Sequence, residues 1–502
     1  MNLIRPFRWS GATVLALAIA VSTKAQDTPP RLTINWDNVA MVSKTTPTLQ
    51  VVVNPPLRRG TPVHDNAFKA LHDLGADYVR YVPWLPYPRL GVAELEPPQA
   101  GKTSWDFSLI DPMTIDLLEA TKGHSVVLNF STIPQWMFKT ENPVSYPDDP
   151  DKAFWSYEKG TELRDPSFKE VADYYARLLA WYTKGGFTDE LGKRHESGYH
   201  YSIPYWEILN EVDLEHHMSP ETYTGLYDAV ATAMRQVQPG IKFVGVSLAF
   251  PGQNPGFFEY FLNHKNHKPG IPLDFISYHF YSAPTPDQTL EIQQCTVFAD
   301  ADGFLNTVRY VESIRKRLSP ETGTTINEIG IISAQDMAQS KPGHTEKPIP
   351  YTYWNLAGAE YAYLFGQLTQ LGIDVAGESQ LVGYPTQFPS VSMVDWTDGK
   401  PNPRLRVLEL LHDNFGPGDK IVETTPVSPY IYSLASVTKG GKHIILFVNK
   451  RDRNFEISIP GSANGRVDFV DVTTGSKPPA FAKLTSDILT LHGFSVAVLA
   501  LP

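Results

Sequence analysis

Residues 204–211 read Pro204-Tyr205-Trp206-Glu207-Ile208-Leu209-Asn210-Glu211, an apolar run ending in two adjacent polar side chains. A short, nearly continuous run of this kind fits a strand buried on both faces, here Pro204 to Leu209. Ser219-Pro220-Glu221 follows, with Ser219 suited to cap a helix and Pro220 to its first turn. A second strand-like run comes next, Lys242 to Ser247. Strand, helix, strand is the unit of a parallel sheet, and it repeats in both directions from here.

On the N-terminal side the runs are Leu49 to Val53, Asp77 to Val82 and Ser125 to Phe130. Between them, His64 to Leu74 and Asp111 to Thr121 carry helical spacing, with Asp111 as expected N-cap and Pro112 after it. Asp165 to Thr183 is a strong helix, placing Phe168, Val171, Tyr174, Tyr175 and Leu178 on one face. On the C-terminal side, Leu273 to Phe280, Thr324 to Ile331 and Ile373 to Gly377 read as strands. Phe257 to Leu262, Gly303 to Leu318, Tyr353 to Leu371 and Pro403 to Asn414 read as helices. Eight alternations over residues 48–416 predict an α/β fold, a (β/α)₈ TIM barrel with inserted loops. A doubly wound open sheet fits less well, because no Gly-x-Gly-x-x-Gly loop follows any of the runs.

Past Gly416 the pattern becomes short strands separated by turns such as Lys439-Gly440-Gly441 and Ala463-Asn464-Gly465. Val427 to Leu434, His443 to Val448, Glu456 to Ile459, Arg466 to Val472 and Gly493 to Leu499 predict an accessory antiparallel β-sandwich over 417–502. Arg31 to Trp36 alternates likewise, so residues of about 31–46 are expected to add a strand to it.

The 502 residues are 42% hydrophobic and 19% charged, as in ordinary globular chains. A net charge of −11 without a basic cluster argues against a nucleic-acid partner and favours a neutral or weakly charged substrate. Arg5 and Arg8, the apolar Gly11 to Val21, and Thr23-Lys24-Ala25 before Gln26 read as a signal peptide over 1–25. The expected location is periplasmic or extracellular. The apolar stretch falls short of the ~20 residues that span a bilayer, and no later segment is long enough, so no membrane partner is expected after signal removal. Cys295 stands alone, which excludes an intrachain disulfide. In the loop-like stretch Gln294-Cys295-Thr296 it reads as a structural or idle thiol.

Reactive groups of such barrels sit at the C-terminal ends of the strands. There the fourth run ends in Glu211 and the seventh in Glu328. A pair of carboxyl groups, one protonated and one ionised, is what cleavage of a glycosidic bond needs. Other polar groups at the barrel mouth are Glu378 and Gln380. Glu378 could bind sugar hydroxyls or serve as a structural hydrogen-bonder. Glu215 is a competing carboxylate, and Glu207, inside its strand, is expected to point elsewhere.

Trp206-Glu207-Ile208-Leu209-Asn210-Glu211 resembles the fourth-strand signature of the retaining (β/α)₈ glycoside hydrolases of clan A. The resemblance implies Glu211 as acid/base, Asn210 as a contact to the sugar 2-hydroxyl, and Glu328 on strand seven as nucleophile. Asp274 to Tyr281 is similar to the clan's sixth strand, with its His-x-Tyr, which implies His279 and Tyr281 in the site. Arg80, at the end of the second run, stands where the clan often has an arginine near the nucleophile; it could keep Glu328 ionised, or form an internal ion pair. Asn129-Phe130-Ser131-Thr132-Ile133-Pro134-Gln135-Trp136 and the accessory sandwich are most similar to glycoside hydrolase family 39, the β-xylosidases and α-L-iduronidases. One departure is Asn327, where Thr or Ser commonly precedes the nucleophile.

The resemblance implies a retaining, exo-acting enzyme on xylosyl or arabinosyl units of plant or microbial saccharides, with no cofactor and no metal. A homo-oligomer is compatible with it. Endo action, transfer to a sugar acceptor and an inactive carbohydrate-binding protein stay open. Among tryptophans Trp84, Trp136, Trp206 and Trp396, Trp136 is the one expected to stack on sugar; the others read as core. His216-His217 has no third ligand at metal spacing. Asn129-Phe130-Ser131 is a glycosylation sequon on a buried strand, expected to be unmodified.

Overall fold

The computed structural model describes residues 28–142, 146–154, 161–285, 288–333, 336, 349–383 and 388–502. The expected signal peptide lies outside them. Among the described residues no helix is long and apolar enough to cross a membrane.

Eight strands form a closed barrel: Thr46–Val52, Val79–Val82, Val126–Leu128, Tyr205–Glu207, Lys242–Leu248, Phe275–Ser282, Gly323–Ile331 and Val375–Glu378, strands one to eight. Each pairs in parallel with its neighbours, and strand eight closes on strand one with Val375 opposite Thr46 and Glu378 opposite Leu49. A helix follows each strand: His64–Leu74, Asp111–Ala120, Lys169–Thr183, Pro220–Val237, Gly256–Phe261, Leu290–Leu318, Tyr351–Leu371 and Pro403–Asn414.

Period-two alternation sorts the barrel side chains. Leu49, Val51, Val79, Tyr81, Val126, Leu128 and Trp206 face the helices and belong to the main core. Trp206 stacks on Phe130 and meets Tyr175 edge-on, as a core tryptophan should. The intervening residues face inward. At the bottom, Val127, Tyr205 and Val244 form a small apolar plug with Tyr78 and Phe275 against it. Above the plug the inward positions turn polar, with Gln50, Arg80 and Glu207 all buried.

Several local expectations are corrected. Asp111 is the first helical residue and not the cap; its carboxylate instead accepts from Trp181 Nε1 and Tyr182 Oη. The third helix begins at Lys169 because Phe168 takes a left-handed conformation, φ 61°. The sixth begins at Leu290, capped by the Thr289 hydroxyl on the Ile292 amide, so Cys295 lies on an exposed helical position and not in a loop. Ser219 does cap its helix, accepting from the Thr222 amide.

The C-terminal residues build a seven-stranded antiparallel sheet faced by the two-stranded Phe455–Ser458 and Ile488–Leu491 ribbon, an accessory β-sandwich. Thr33–Val42 is its edge strand, paired with Lys420–Thr425. Along His443–Asn449 the alternation separates two cores. Ile444, Leu446 and Val448 join the barrel's main core, whereas Ile445 and Phe447 join the sandwich's own. A sheet buried on both faces explains why that run is apolar throughout.

Candidate active site

Strand four ends early. In a regular strand Asn210 and Glu211 would point to opposite faces. Leu209 (φ 61°) and Glu211 (φ 43°) instead take left-handed backbone. Strained backbone of this kind costs about 1–3 kcal/mol per residue and concentrates at working sites. Its result here is that both side chains line one pocket. The pocket occupies the barrel mouth, encloses about 890 Å³, and also includes Gln50, His279, Tyr281 and Glu328.

Glu211 and Glu328 face each other across His279. The imidazole Nδ1 lies 2.9 Å from Glu211 Oε1 and 3.5 Å from Glu328 Oε2. A nitrogen between two carboxylate oxygens is useful only as an N–H donor, which leaves Nε2 toward the Ser247 hydroxyl at 3.2 Å. The facing carboxylate oxygens of Glu211 and Glu328 are within 4.8 Å of each other.

Their environments differ. Glu328 Oε1 accepts from Arg80 Nη1 at 2.5 Å, and Oε2 accepts from the Tyr281 hydroxyl at 2.6 Å. Burial alone pushes the Glu328 carboxyl up, but His279, Arg80 and the Tyr281 hydrogen bond outweigh it and hold the group below its ordinary range. Glu211 has no arginine. Burial raises it, the Glu328 charge adds to that, and the His279 hydrogen bond compensates only in part. The two carboxyls are thus pushed in opposite directions, Glu328 toward its ionised form and Glu211 toward its protonated form.

Arg80 is fully buried beneath both. Its Nε donates to Glu207 at 2.5 Å, Nη1 also to Gln50, and Nη2 to Asn210 at 2.7 Å and Ser247 at 3.2 Å. Of the two readings of Arg80, ion pair or partner of Glu328, the structure has both. Glu207 stays out of the pocket lining, as expected; it enters the barrel below it and accepts from Arg80, Asn129, Ser277 and Asn327. The Nδ2 of Asn129, the sequon's amide nitrogen, is therefore engaged, donating to Glu207 and the Leu209 carbonyl.

Two expected contacts are not in the pocket. Glu378 is fully buried and paired with Arg404 Nε at 2.8 Å, so it is a structural group. Trp136 donates to the Glu94 carbonyl and lies under the Arg164 guanidinium, 4.4 Å from its ring, outside the pocket lining. Among the described residues the tryptophan that lines the pocket is Trp84, whose Nε1 donates to Glu215 at 2.6 Å, and Glu215 in turn accepts from Asn210. Gln380 lines the pocket as well. Gln50, Ser247 and Ser379 had no sequence signal: each is a single polar residue in or beside an apolar run. Ser379 is joined to Tyr281 and Gln50. His216 stacks on Phe138.

Glu211, His279 and Glu328 are the one group among the described residues spaced to hold a metal ion. The Arg80 guanidinium on Glu328 opposes a divalent cation there by direct repulsion.

A family model described as "Glycosyl hydrolases family 39" matches residues 192–329, the segment that contains Asn210, Glu211, His279, Tyr281 and Glu328. The chain is a glycosidase similar to family 39 over that segment. No curated protein matches its sequence. Among solved structures the glycosidase resembles the GH51 arabinofuranosidase from Xanthomonas axonopodis pv. citri, with TM-score 0.64 and 12% identity over 94% of this chain and 100% of the other. It also resembles the family 51 α-L-arabinofuranosidase from Bifidobacterium longum, with TM-score 0.62 and 14% identity over 95% and 100%. A GH30 endoxylanase from Clostridium papyrosolvens C71 gives 0.55 and 15% over 94% and 99%. At these identities the likeness is one of fold.

Proposed function

We propose that the protein is a retaining, exo-acting glycosidase on neutral pentosyl units, xylosyl or arabinosyl, with Glu328 as nucleophile and Glu211 as acid/base. The observation that carries this is the spacing of the two carboxylates. Retaining enzymes hold theirs ~5–5.5 Å apart, whereas inverting enzymes need ~6.5–9.5 Å to admit a water. Facing oxygens within 4.8 Å of each other support the shorter, retaining spacing.

Glu328 attacks the anomeric carbon while Glu211 protonates the departing oxygen, giving a glycosyl ester on Glu328. Glu211, now ionised, takes a proton from water, whose oxygen displaces the Glu328 carboxylate. Asn210, fixed by Arg80 and Glu215, is placed to meet the sugar beside the reacting carbon.

A neutral sugar is favoured over a uronic acid by the charge of the pocket. Its described lining includes Glu211, Glu215 and Glu328 but no lysine or arginine. Arg80 lies beneath, with every nitrogen engaged. The volume of about 890 Å³ suits a terminal sugar plus a leaving group, near the top of the ~300–1,000 Å³ usual for pockets that enclose whole ligands. Export, read from Arg5, Arg8 and Gly11 to Val21, belongs to the same proposal.

The test is a panel of aryl β-xyloside, α-L-arabinofuranoside, α-L-arabinopyranoside, β-glucoside, β-galactoside and α-L-iduronide, followed by proton NMR of the reaction on the best substrate. The expected first product is the sugar with its starting anomeric configuration on a pentoside. An inverted first product, or the iduronide as best substrate, would overturn the assignment.

A further inference from the structure

The pocket lining mixes polar and apolar side chains throughout, with Gln50, Trp84 and Gln380 beside Val52, Val82 and Leu85 at strands one, two and eight. Within it, Leu214, Phe250, Pro251, Phe280, Pro284 and Phe304 make up an apolar wall, with Gln253, Thr285 and Thr307 among the same segments. Phe280 and Phe304 are stacked with ring centres 4.5 Å apart. Leu214 and Phe250 stand out as large apolar side chains left 43% exposed.

This wall is built, and it is built onto Glu211. The Leu214 amide donates to the Glu211 carbonyl at 2.8 Å, so Leu214 stands in the turn that Glu211 begins. Asp213, in the same turn, grips the next loop. Its carboxylate accepts from the Ala249 amide at 2.9 Å, the Phe250 amide at 3.0 Å and Asn254 Nδ2 at 2.9 Å. Phe250 is thereby fixed beside the residue that protonates the departing oxygen. What lies next to that oxygen is the leaving group.

A second sugar placed there would set several hydroxyls against carbon, and each one lacking a partner is penalised. An aliphatic or aromatic alcohol would instead cover Leu214 and Phe250 and gain by leaving water. We infer that the leaving-group side of this site takes an apolar aglycone, so that the natural substrates are glycosides of hydrophobic alcohols and not oligosaccharides. The inference rests on Glu211 as the proton donor.

The experiment uses the full mature chain and the sugar preferred in the aryl panel. kcat/KM is measured for its methyl, butyl and octyl glycosides and for a disaccharide carrying the same terminal sugar. The alkyl alcohols differ little in acidity, so the series reports contact and not chemistry. Complete burial of one methylene is worth about fourfold. The expected result is a rise of at least about tenfold from methyl to octyl, with the octyl glycoside cleaved more efficiently than the disaccharide. The double variant Leu214→Ser/Phe250→Ser should flatten the series. A flat series in the parent enzyme, or preference for the disaccharide, overturns the inference while leaving the glycosidase assignment intact. Glu211→Ala with parental rates on alkyl glycosides would remove the premise itself.

Discussion

The two carboxylates owe their separate roles to neighbours that can be removed one at a time. Glu328→Ala should abolish turnover, and added azide should yield only a glycosyl azide of inverted anomer. Glu211→Ala should lose about 10²–10⁴-fold on alkyl glycosides and much less on dinitrophenyl glycosides, whose leaving groups need little protonation. Near-parental activity in both variants would refute the assignment. The pH profile follows from the same contacts. Glu328 must be ionised and is held low, so the acid limb of kcat/KM should lie below the ordinary carboxylate range. Glu211 must be protonated and is held high, so it sets the alkaline limb. Tyr281→Phe deletes a hydrogen bond to the ionised Glu328, which raises that group and moves the acid limb to higher pH. An alkaline limb that moved instead would assign the tyrosine to Glu211. Legibility at this scale depended on motif. Glu211 and Glu328 were visible as carboxylates toward the ends of strand-like runs, whereas Asn210, His279, Tyr281 and Arg80 were expected from the likeness to the clan's strand motifs. Trp136 was expected at the sugar and Trp84 in the core, and the pocket lining reverses them, because which indole meets the pocket depends on loop paths that no local pattern encodes. What could not be read was the use of Glu207 beneath the site, because parity assigns a face but does not say that the inward face is polar.

At the scale of elements, strand eight shows how a buried charge serves a site without touching it. Glu378 pairs with Arg404 on the closing helix, and the Arg404 guanidinium also binds the Ser379 carbonyl. Ser379 Oγ in turn meets Tyr281 and Gln50. Removing one partner of a buried pair leaves the other charge uncompensated, at about 3–5 kcal/mol. Glu378→Ala should therefore lower the melting temperature markedly, and the fraction that stays folded should show a raised acid limb as Tyr281 loses its support. If thermal unfolding were unchanged, the pair would not be the tie between strand eight and its helix. Element positions were readable where apolar period was strong, as in Pro403–Asn414, which has the expected ends. They were not where polar residues occupy a helix, as at Leu290–Leu318. There Gln293, Gln294 and Asp300 mask the period, and the Thr289 cap goes unnoticed without the strand before it.

On the scale of the whole molecule, the accessory sheet is not an appendage. The barrel-facing residues of its strands join the main core, and the seventh helix, Tyr351–Leu371, forms much of the contact. Tyr363 meets Tyr432 edge-on with ring centres 5.3 Å apart, and the Tyr351 hydroxyl reaches Ser476 at 2.7 Å. Sequence alternation announced a sandwich and even its N-terminal strand. It could not reveal that one face of the sheet is shared with the barrel, because an apolar run reads alike against either partner. Gly366 tests the coupling. It lies where the helix passes closest to the sheet, and a Cβ there would fall 2.4 Å from Tyr432 Cε1 and 2.6 Å from its hydroxyl oxygen. The Tyr432 ring is confined by Tyr363 and by its hydroxyl's bond to Gln370, so it has little room to yield. Gly366→Ala should destabilise the protein by about 1–3 kcal/mol, the usual cost of overpacking. Because the two cores are contiguous, calorimetry should show a single transition moved to lower temperature. Two separated transitions, with only one displaced, would mean that barrel and sandwich unfold independently and that the shared face contributes little to either.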